Sequence, residues 1–447
     1  MRRVGTGRAL WLIVAVCLLL VLSALPASAQ SGARVAFVNT SGQLVIGSAD
    51  GSYRWIVTNP GEMLVQPVGF TWSPDGRTLF LAVNNGAGIS LRFADTAAQS
   101  VTEAAQSGAS AITGGGWTRD GRGVMVSDGN SITFIGRDGS IAPVVTGQSG
   151  LSLFSPYGDA RPNLPGARAV SSGNTHVFFQ QGDGRYAVAA LDGSSAFPLP
   201  GSNEQNARAS GLWADNAPLV AYWGYEGSAI LSVTNATNGQ TLTLNSGRTA
   251  PITPVLWLPN TTVLLYRDAS GVVRAADMGC LASSCSSDPL QSGLEVLPPT
   301  ATEVVLSNGA LYYQDGNNIM ALNSACISSG ACAGSAVMVA ANAAPSTMIS
   351  AAGNVLFFTG FSANPNDVND RSAQVVVVNG CQFSGGCTVA AAIPSALSGT
   401  LSADGSAALY DSPAAGGLFA VSLTSGANTY LADSMGAPGL ALARWGG

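Results

Sequence analysis

The stretch Thr71-Trp72-Ser73-Pro74-Asp75-Gly76-Arg77-Thr78-Leu79-Phe80-Leu81 constrains the fold more than any other, because weaker copies of it recur along the chain. It reads as a strand, a tight turn and a second, apolar strand. Pro74 pre-sets φ for the second turn position, Asp75 can bond its own backbone, and Gly76 supplies the positive φ needed to leave the turn. Laying the chain on this stretch predicts nine points where a first strand ends: Trp72, Trp117, Val170, Trp213, Trp257, Leu306, Ile349, Leu401 and Trp445. Their spacing of about 43 to 53 residues is the period of a four-stranded propeller blade.

After each turn an apolar second strand is expected, as in Leu219 to Trp223 and Val355 to Thr359, then a third and a shorter fourth. The ends of the chain complement each other. Residues 34 to 58 supply only second, third and fourth strands, and Gly439 to Trp445 supplies only a first. Joined, they complete one blade from both termini and remove an open edge. The expected fold is all-β: a single β-propeller of four-stranded blades, with nine repeats counted. Eight is the alternative if the weak repeat around residues 166 to 200 is not a separate blade.

Met1 to Ala29 reads as an export signal, with Arg2, Arg3 and Arg8, an apolar run from Leu10 to Leu25, and Ala27-Ser28-Ala29 before Gln30. The expected organisation is therefore a signal peptide at 1–29 and a propeller domain at 30–447, periplasmic or extracellular, with no membrane span after cleavage. Loss of the three arginines takes the net charge from −6 to −9, spread without runs. That balance argues against nucleic acid and anionic membrane surfaces as partners. The chain contains no lysine, which excludes Schiff-base and lysine general-base chemistry.

Trp72-Ser73-Pro74-Asp75-Gly76-Arg77-Thr78-Leu79 resembles the repeat of TolB-type β-propellers, exported bacterial relatives of the WD-repeat propeller. The resemblance is clear at Trp72 to Leu81, fair at Trp117 to Val126 and Leu401 to Tyr410, and degenerate elsewhere. It implies a propeller used as a binding platform. TolB-type proteins carry an α/β domain before the propeller, whereas strands begin here within a few residues of the expected cleavage site, so TolB's own partners do not carry over.

Six cysteines remain after the leader, in three close pairs: Cys280 with Cys285, Cys326 with Cys332, and Cys381 with Cys387. Each pair follows a third strand in consecutive blades. In an exported protein disulfides are expected, since zinc would need converging rims or a nearby histidine and redox pairs favour Cys-x-x-Cys.

Catalytic motifs are thin, and no catalytic residue is assigned. His176 is the only histidine, Gly-x-Ser-x-Gly is absent, and Glu226 and Glu303 are the carboxylates to compare for glycosidase-like geometry. No cofactor is expected. A weak calcium candidate lies at Asn366, Asp367, Asn369 and Asp370, whose oxygens suit that cation, though an Asn- and Asp-rich surface turn has the same composition.

Turns after first strands and the cysteine hairpins fall on one face; second-to-third connections and links between blades fall on the other. The second face carries the longer aromatic segments: Leu151 to Pro165 with Tyr157 and Arg161, then Trp223, Tyr225 and Glu226, then Phe361 to Arg371, then Asp411 to Gly417. Such segments on a rigid scaffold suit recognition. The expected function is a non-catalytic scaffold for a protein or glycan partner of the cell envelope. The alternative is an enzyme acting on carbohydrate or polyanionic substrates through carboxylates or arginines at the channel mouth.

Overall fold

The computed structural model describes residues 33–66, 69–108, 111–153, 170–202, 211–245, 252–345, 347, 349–361, 371–394, 396, 398–433 and 443–446. Their strands form eight antiparallel hydrogen-bonded sheets, one of which has eight strands. That large sheet is two blades joined by a single bridge between Ser202 and Tyr225. The described residues thus build nine blades, and the weak repeat near residue 170 is a blade of its own.

Blade 1 takes its innermost strand, Ala443–Trp445, from the C-terminal end and the other three from the N-terminal part. Val35 pairs with Trp445, Ala36 with Arg444 and Phe37 with Ala443, so both ends of the chain close one sheet. The innermost strands of blades 2 to 9 are Phe70–Trp72, Gly114–Trp117, Ser152–Leu153, Leu212–Trp213, Thr253–Trp257, Ala301–Ser307, Ser350–Ala352 and Ser398–Leu401.

The repeated turn owes its shape to one serine or threonine and one aspartate. Ser73 Oγ donates to Asp75 Oδ1 at 2.5 Å, the Arg77 amide donates to the same oxygen, and the Thr78 amide donates back to Ser73 Oγ. Thr118 with Asp120 and Ser402 with Asp404 repeat the arrangement. Ser48 with Asp50 uses it in a third-to-fourth hairpin. Gly76 sits at φ +63°, which only glycine adopts cheaply.

Large side chains fill the spaces between blades, because alternate residues of each strand face opposite neighbours. Val220 and Tyr222 pack toward blade 4 with Phe178, Tyr186 and Trp213, while Leu219 and Ala221 pack toward blade 6 with Trp257 and Tyr266. The anchor tryptophans add a repeated polar contact. Trp117 Nε1 donates to the Thr71 carbonyl at 2.9 Å, Trp257 Nε1 to Leu212 at 2.8 Å and Trp445 Nε1 to Thr400 at 3.2 Å. Each acceptor immediately precedes the anchor of the preceding blade.

Three expectations need correction. The first strand of blade 8 does not stop at Ile349 but runs Ser350–Ala352, and its turn is Gly353-Asn354. Blade 7 likewise extends past Leu306 to Ser307 before its Asn308-Gly309 turn. These two-residue turns take the place of the longer Ser-Pro-Asp-Gly form, which shifts the strand end. At the start of the segment Leu151 to Pro165, Ser152 and Leu153 belong to the innermost strand of blade 4 and not to a loop, because Leu153 pairs with Phe179 and Val170 with Val177 on the same second strand. Residues 154–169 lie outside the described residues.

The three cysteine pairs form disulfides, Cys280–Cys285, Cys326–Cys332 and Cys381–Cys387, with Cα separations of 4.8, 4.9 and 5.3 Å. No helix among the described residues is long and apolar enough to cross a membrane.

Candidate binding face

Antiparallel connectivity puts second-to-third hairpins and inter-blade links on one face of the ring. Three of those hairpins are longer than the rest. In blade 2 the paired strands are Thr78–Asn84 and Ile89–Asp95, in blade 5 Leu219–Tyr225 and Ala229–Asn235, and in blade 8 Val355–Phe361 and Arg371–Val377, each of 7 residues. The corresponding strands of the other blades have 5 or 6. Blades 2, 5 and 8 are three apart in a ring of nine, so the long hairpins are evenly spaced around this face.

The blade 5 hairpin is the best defined. Trp223 and Tyr225 belong to its second strand, not to a loop, paired with Leu231 and Ala229. Trp223 shares the face of Leu219 and Ala221, toward blade 6; it is half-buried, and its Nε1 has no acceptor among the described residues. Tyr225 is half-buried, and its carbonyl accepts from Ser202 Oγ at 3.3 Å. Gly224 lies close against blade 4, since a Cβ there would meet Tyr186 Cε2 at 3.0 Å. Glu226 and Gly227 form the exposed tip, closed by the Glu226 amide donating to Ser228 O at 2.9 Å.

Phe361 and Arg371 belong to blade 8, three blades on from Trp223. Their backbones pair to close that blade's long hairpin. Tyr157 and Arg161 lie outside the described residues, as do the calcium candidates Asn366, Asp367, Asn369 and Asp370.

The blade 2 hairpin was not legible as part of this surface, because its tip, Asn84-Asn85-Gly86-Ala87-Gly88, carries neither aromatic nor charge. Its base is rigid and ionic. Arg92 Nη2 meets Glu62 Oε1 at 2.9 Å, Arg92 Nε donates to Ser90 Oγ at 2.8 Å, and Ser90 Oγ donates to Glu103 Oε2 at 2.6 Å. Burial works to raise the Glu62 pKa, yet the Arg92 guanidinium and the Asn59 amide outweigh it and hold the carboxyl below its ordinary value. At blade 6, Arg274 Nε meets Asp268 Oδ2 at 2.6 Å, while Arg267 donates to the Gly271 and Ala301 carbonyls. These arginines are committed to holding loops in place.

Glu226 and Glu303 are not a pair. Glu226 tips the blade 5 hairpin, whereas Glu303 lies in a bulge of the innermost strand of blade 7 at φ +51°. His176 begins the second strand of blade 4, and burial lowers its pKa despite the opposing charge of Asp192. Its Nδ1 lies 2.9 Å from Thr175 Oγ1, at the opposite face from the long hairpins. No group of three or more His, Cys, Asp or Glu arranged for a metal occurs among the described residues.

No family model and no curated protein matches this chain. Solved structures similar to it include TolB from Acinetobacter baumannii, at 12% identity and a TM-score of 0.33, covering 70% of this chain and 66% of that one. They also include an oligogalacturonate lyase in complex with manganese, at 11% identity and a TM-score of 0.37, with coverage of 89% and 83%. Apo AztD from Citrobacter koseri matches at 14% identity and a TM-score of 0.42, with coverage of 81% and 95%. The propeller assignment rests on the strand order and closure of the chain itself.

Proposed function

We infer that this chain is an exported, non-catalytic propeller that binds a protein or glycan partner of the cell envelope through the face carrying the long hairpins. The observation that supports this reading is the even spacing of the projecting hairpins of blades 2, 5 and 8. Three rigid projections on one face give a partner several separated footholds at little ordering cost, since paired strands lose little freedom on binding. The leader-like first 29 residues and the three disulfides support an oxidising compartment outside the cytoplasm. Tyr225, Glu226, Trp223, Phe361 and Arg371 are the proposed contacts.

The test is affinity capture from the envelope of the producing cells with the mature protein and with a Tyr225→Ala/Glu226→Ala variant. A capture that requires these two side chains, and tolerates Arg122→Ala on the opposite face, supports the reading. Capture that is indifferent to the blade 5 hairpin rejects it.

A further inference from the structure

Every propeller blade ends in an outermost strand with a free hydrogen-bonding edge, and such edges are ordinarily guarded by charge or proline. Most of the outer strands here follow that rule. Arg54 guards blade 1, Glu103 blade 2, Pro143 blade 3, Pro198 and Pro200 blade 4, Glu295 blade 6 and Asp433 blade 9. Blades 5, 7 and 8 do not. In blade 5, Thr241–Asn245 reads Thr-Leu-Thr-Leu-Asn, but its leucines are partly buried against the core and it has no unguarded neighbour, whereas the outer strands of blades 7 and 8 are adjacent. Val337–Ala340 reads Val-Met-Val-Ala, and Thr388–Pro394 reads Thr-Val-Ala-Ala-Ala-Ile before its terminal proline. A bulge interrupts the outer pairing in both, as it does in five of the guarded blades, so it does not distinguish them.

The same sector is nearly free of charge. No Asp, Glu, Arg or His occurs from 316 to 366 or from 372 to 403, in a chain whose charged residues make up 10%. Its wall is also apolar. Met338 is 50% exposed, Val389 48%, Val377 45% and Phe383 41%, four of the nine large hydrophobic residues so exposed among the described residues. The two blades are continuous here, because a Cβ on Gly385, beside Phe383, would lie 3.3 Å from Val337 Cγ1.

We propose that this wall is a homodimer interface in which the strand Thr388–Pro394 pairs antiparallel with the same strand of a second copy. Two arguments select a second copy. A chain of net charge −6 repels itself over most approaches, and this sector is where two copies meet without like charges opposed. An antiparallel strand pair is self-complementary about a two-fold axis, so one edge suffices for a closed dimer. Met338, Phe383 and Val389 then lose their exposure against the partner's apolar wall. The interface lies on the side of the ring, so it leaves the face with the long hairpins open.

The test is sedimentation equilibrium of the mature protein over a concentration series up to roughly 100 µM, a range that detects weak dimers of micromolar affinity. A dimer is expected whose affinity holds or rises when salt is raised from about 0.05 to 0.5 M, since no ion pair is there to be screened. Val389→Lys with Ala392→Lys places like charges across the axis at exposed positions and should weaken the dimer by at least about 100-fold, with an unchanged melting curve. Amides of Thr388 to Ile393 should also gain hydrogen-exchange protection as concentration rises. A monomer at the highest concentration, or a dimer untouched by the double substitution or without that protection, overturns the proposal. The Tyr225→Ala/Glu226→Ala variant should dimerise normally, which separates this outcome from the partner-binding test.

Discussion

Arg119 and Asp215 occupy the same place in two different repeats, two residues beyond Trp117 and Trp213, and their side chains meet at 2.8 Å. The contact skips a blade. Arg119 starts from the turn of blade 3, its amide donates to Asn174 Oδ1 of blade 4, and its guanidinium ends on Asp215 and the Ala214 carbonyl of blade 5. In the parent turn this position is Pro74, which can make no such bond. The Arg119 side chain is 12% exposed, so solvent screens the pair only partly.

Removing one partner of this clamp leaves the other largely desolvated. Arg119→Ala should cost about 2 kcal/mol, read as a lower midpoint in chemical denaturation. Asp215→Asn should cost less, because the Ala214 carbonyl still receives the guanidinium. Equal losses for both variants would show that the ion pair, not the carbonyl contact, is the main bond.

Trp257 is fully buried, and its indole N–H satisfies the Leu212 carbonyl of the preceding blade. Trp257→Phe keeps an aromatic ring but deletes the donor, so the Leu212 carbonyl, paired in its strand with Ala221, loses its second partner at a cost of about 1 kcal/mol. Denaturation midpoints check the size. A Trp445→Phe change should cost less, since that indole is only part-buried and its bond is longer at 3.2 Å.

Acid should loosen the repeated turns. Burial works to raise the pKa of Asp75, Asp120 and Asp404, but hydrogen bonds from their turn hydroxyls and amides outweigh it and lower all three below 3.8. A depressed folded-state pKa stabilises above the unfolded value and is lost as pH falls through the folded one. Melting temperature should therefore hold between about pH 7 and 5 and drop below about pH 4. The triple Asp→Asn variant should be less stable at pH 7 and show a flatter acid limb; parallel curves for the two proteins would remove these carboxylates as the cause.

The Cys280–Cys285 hairpin should stiffen two blades at once. Asn235 Nδ2 and Asn238 Nδ2 of blade 5 both donate to the Leu281 carbonyl inside that loop, and Gln240 Nε2 donates to Ser283 O. Cys280→Ser with Cys285→Ser should cost about 2 kcal/mol from loop entropy. Hydrogen exchange should then quicken at Asn235 to Gln240 as well as in the hairpin itself. Quickening confined to residues 280–285 would show that the inter-blade bonds survive without the disulfide.

Much of the architecture was legible because the turn chemistry is local. Ser73, Asp75 and Gly76 determine their turn within a few residues, so the repeat, the ring and the shared terminal blade follow from reading one stretch against the rest. The cysteine pairs were legible for the same reason, since five or six residues separate the partners. The candidate face was read only in part. Aromatic and charged residues drew attention to Trp223 and Phe361, while the blade 2 hairpin projects equally with only small and amide side chains at its tip.

The sequence by itself determined the blade, its repeat number within one, the closure of the ring and the disulfides, because each depends on contacts between near neighbours or on the fixed period of the repeat. Only the tertiary structure decided that Arg119 reaches Asp215, that the long hairpins fall on every third blade, and that the uncharged outer strands of blades 7 and 8 share one wall. Those relations join residues that become neighbours only once the strands wind into a ring, so their distances in space bear no simple relation to their separation along the chain.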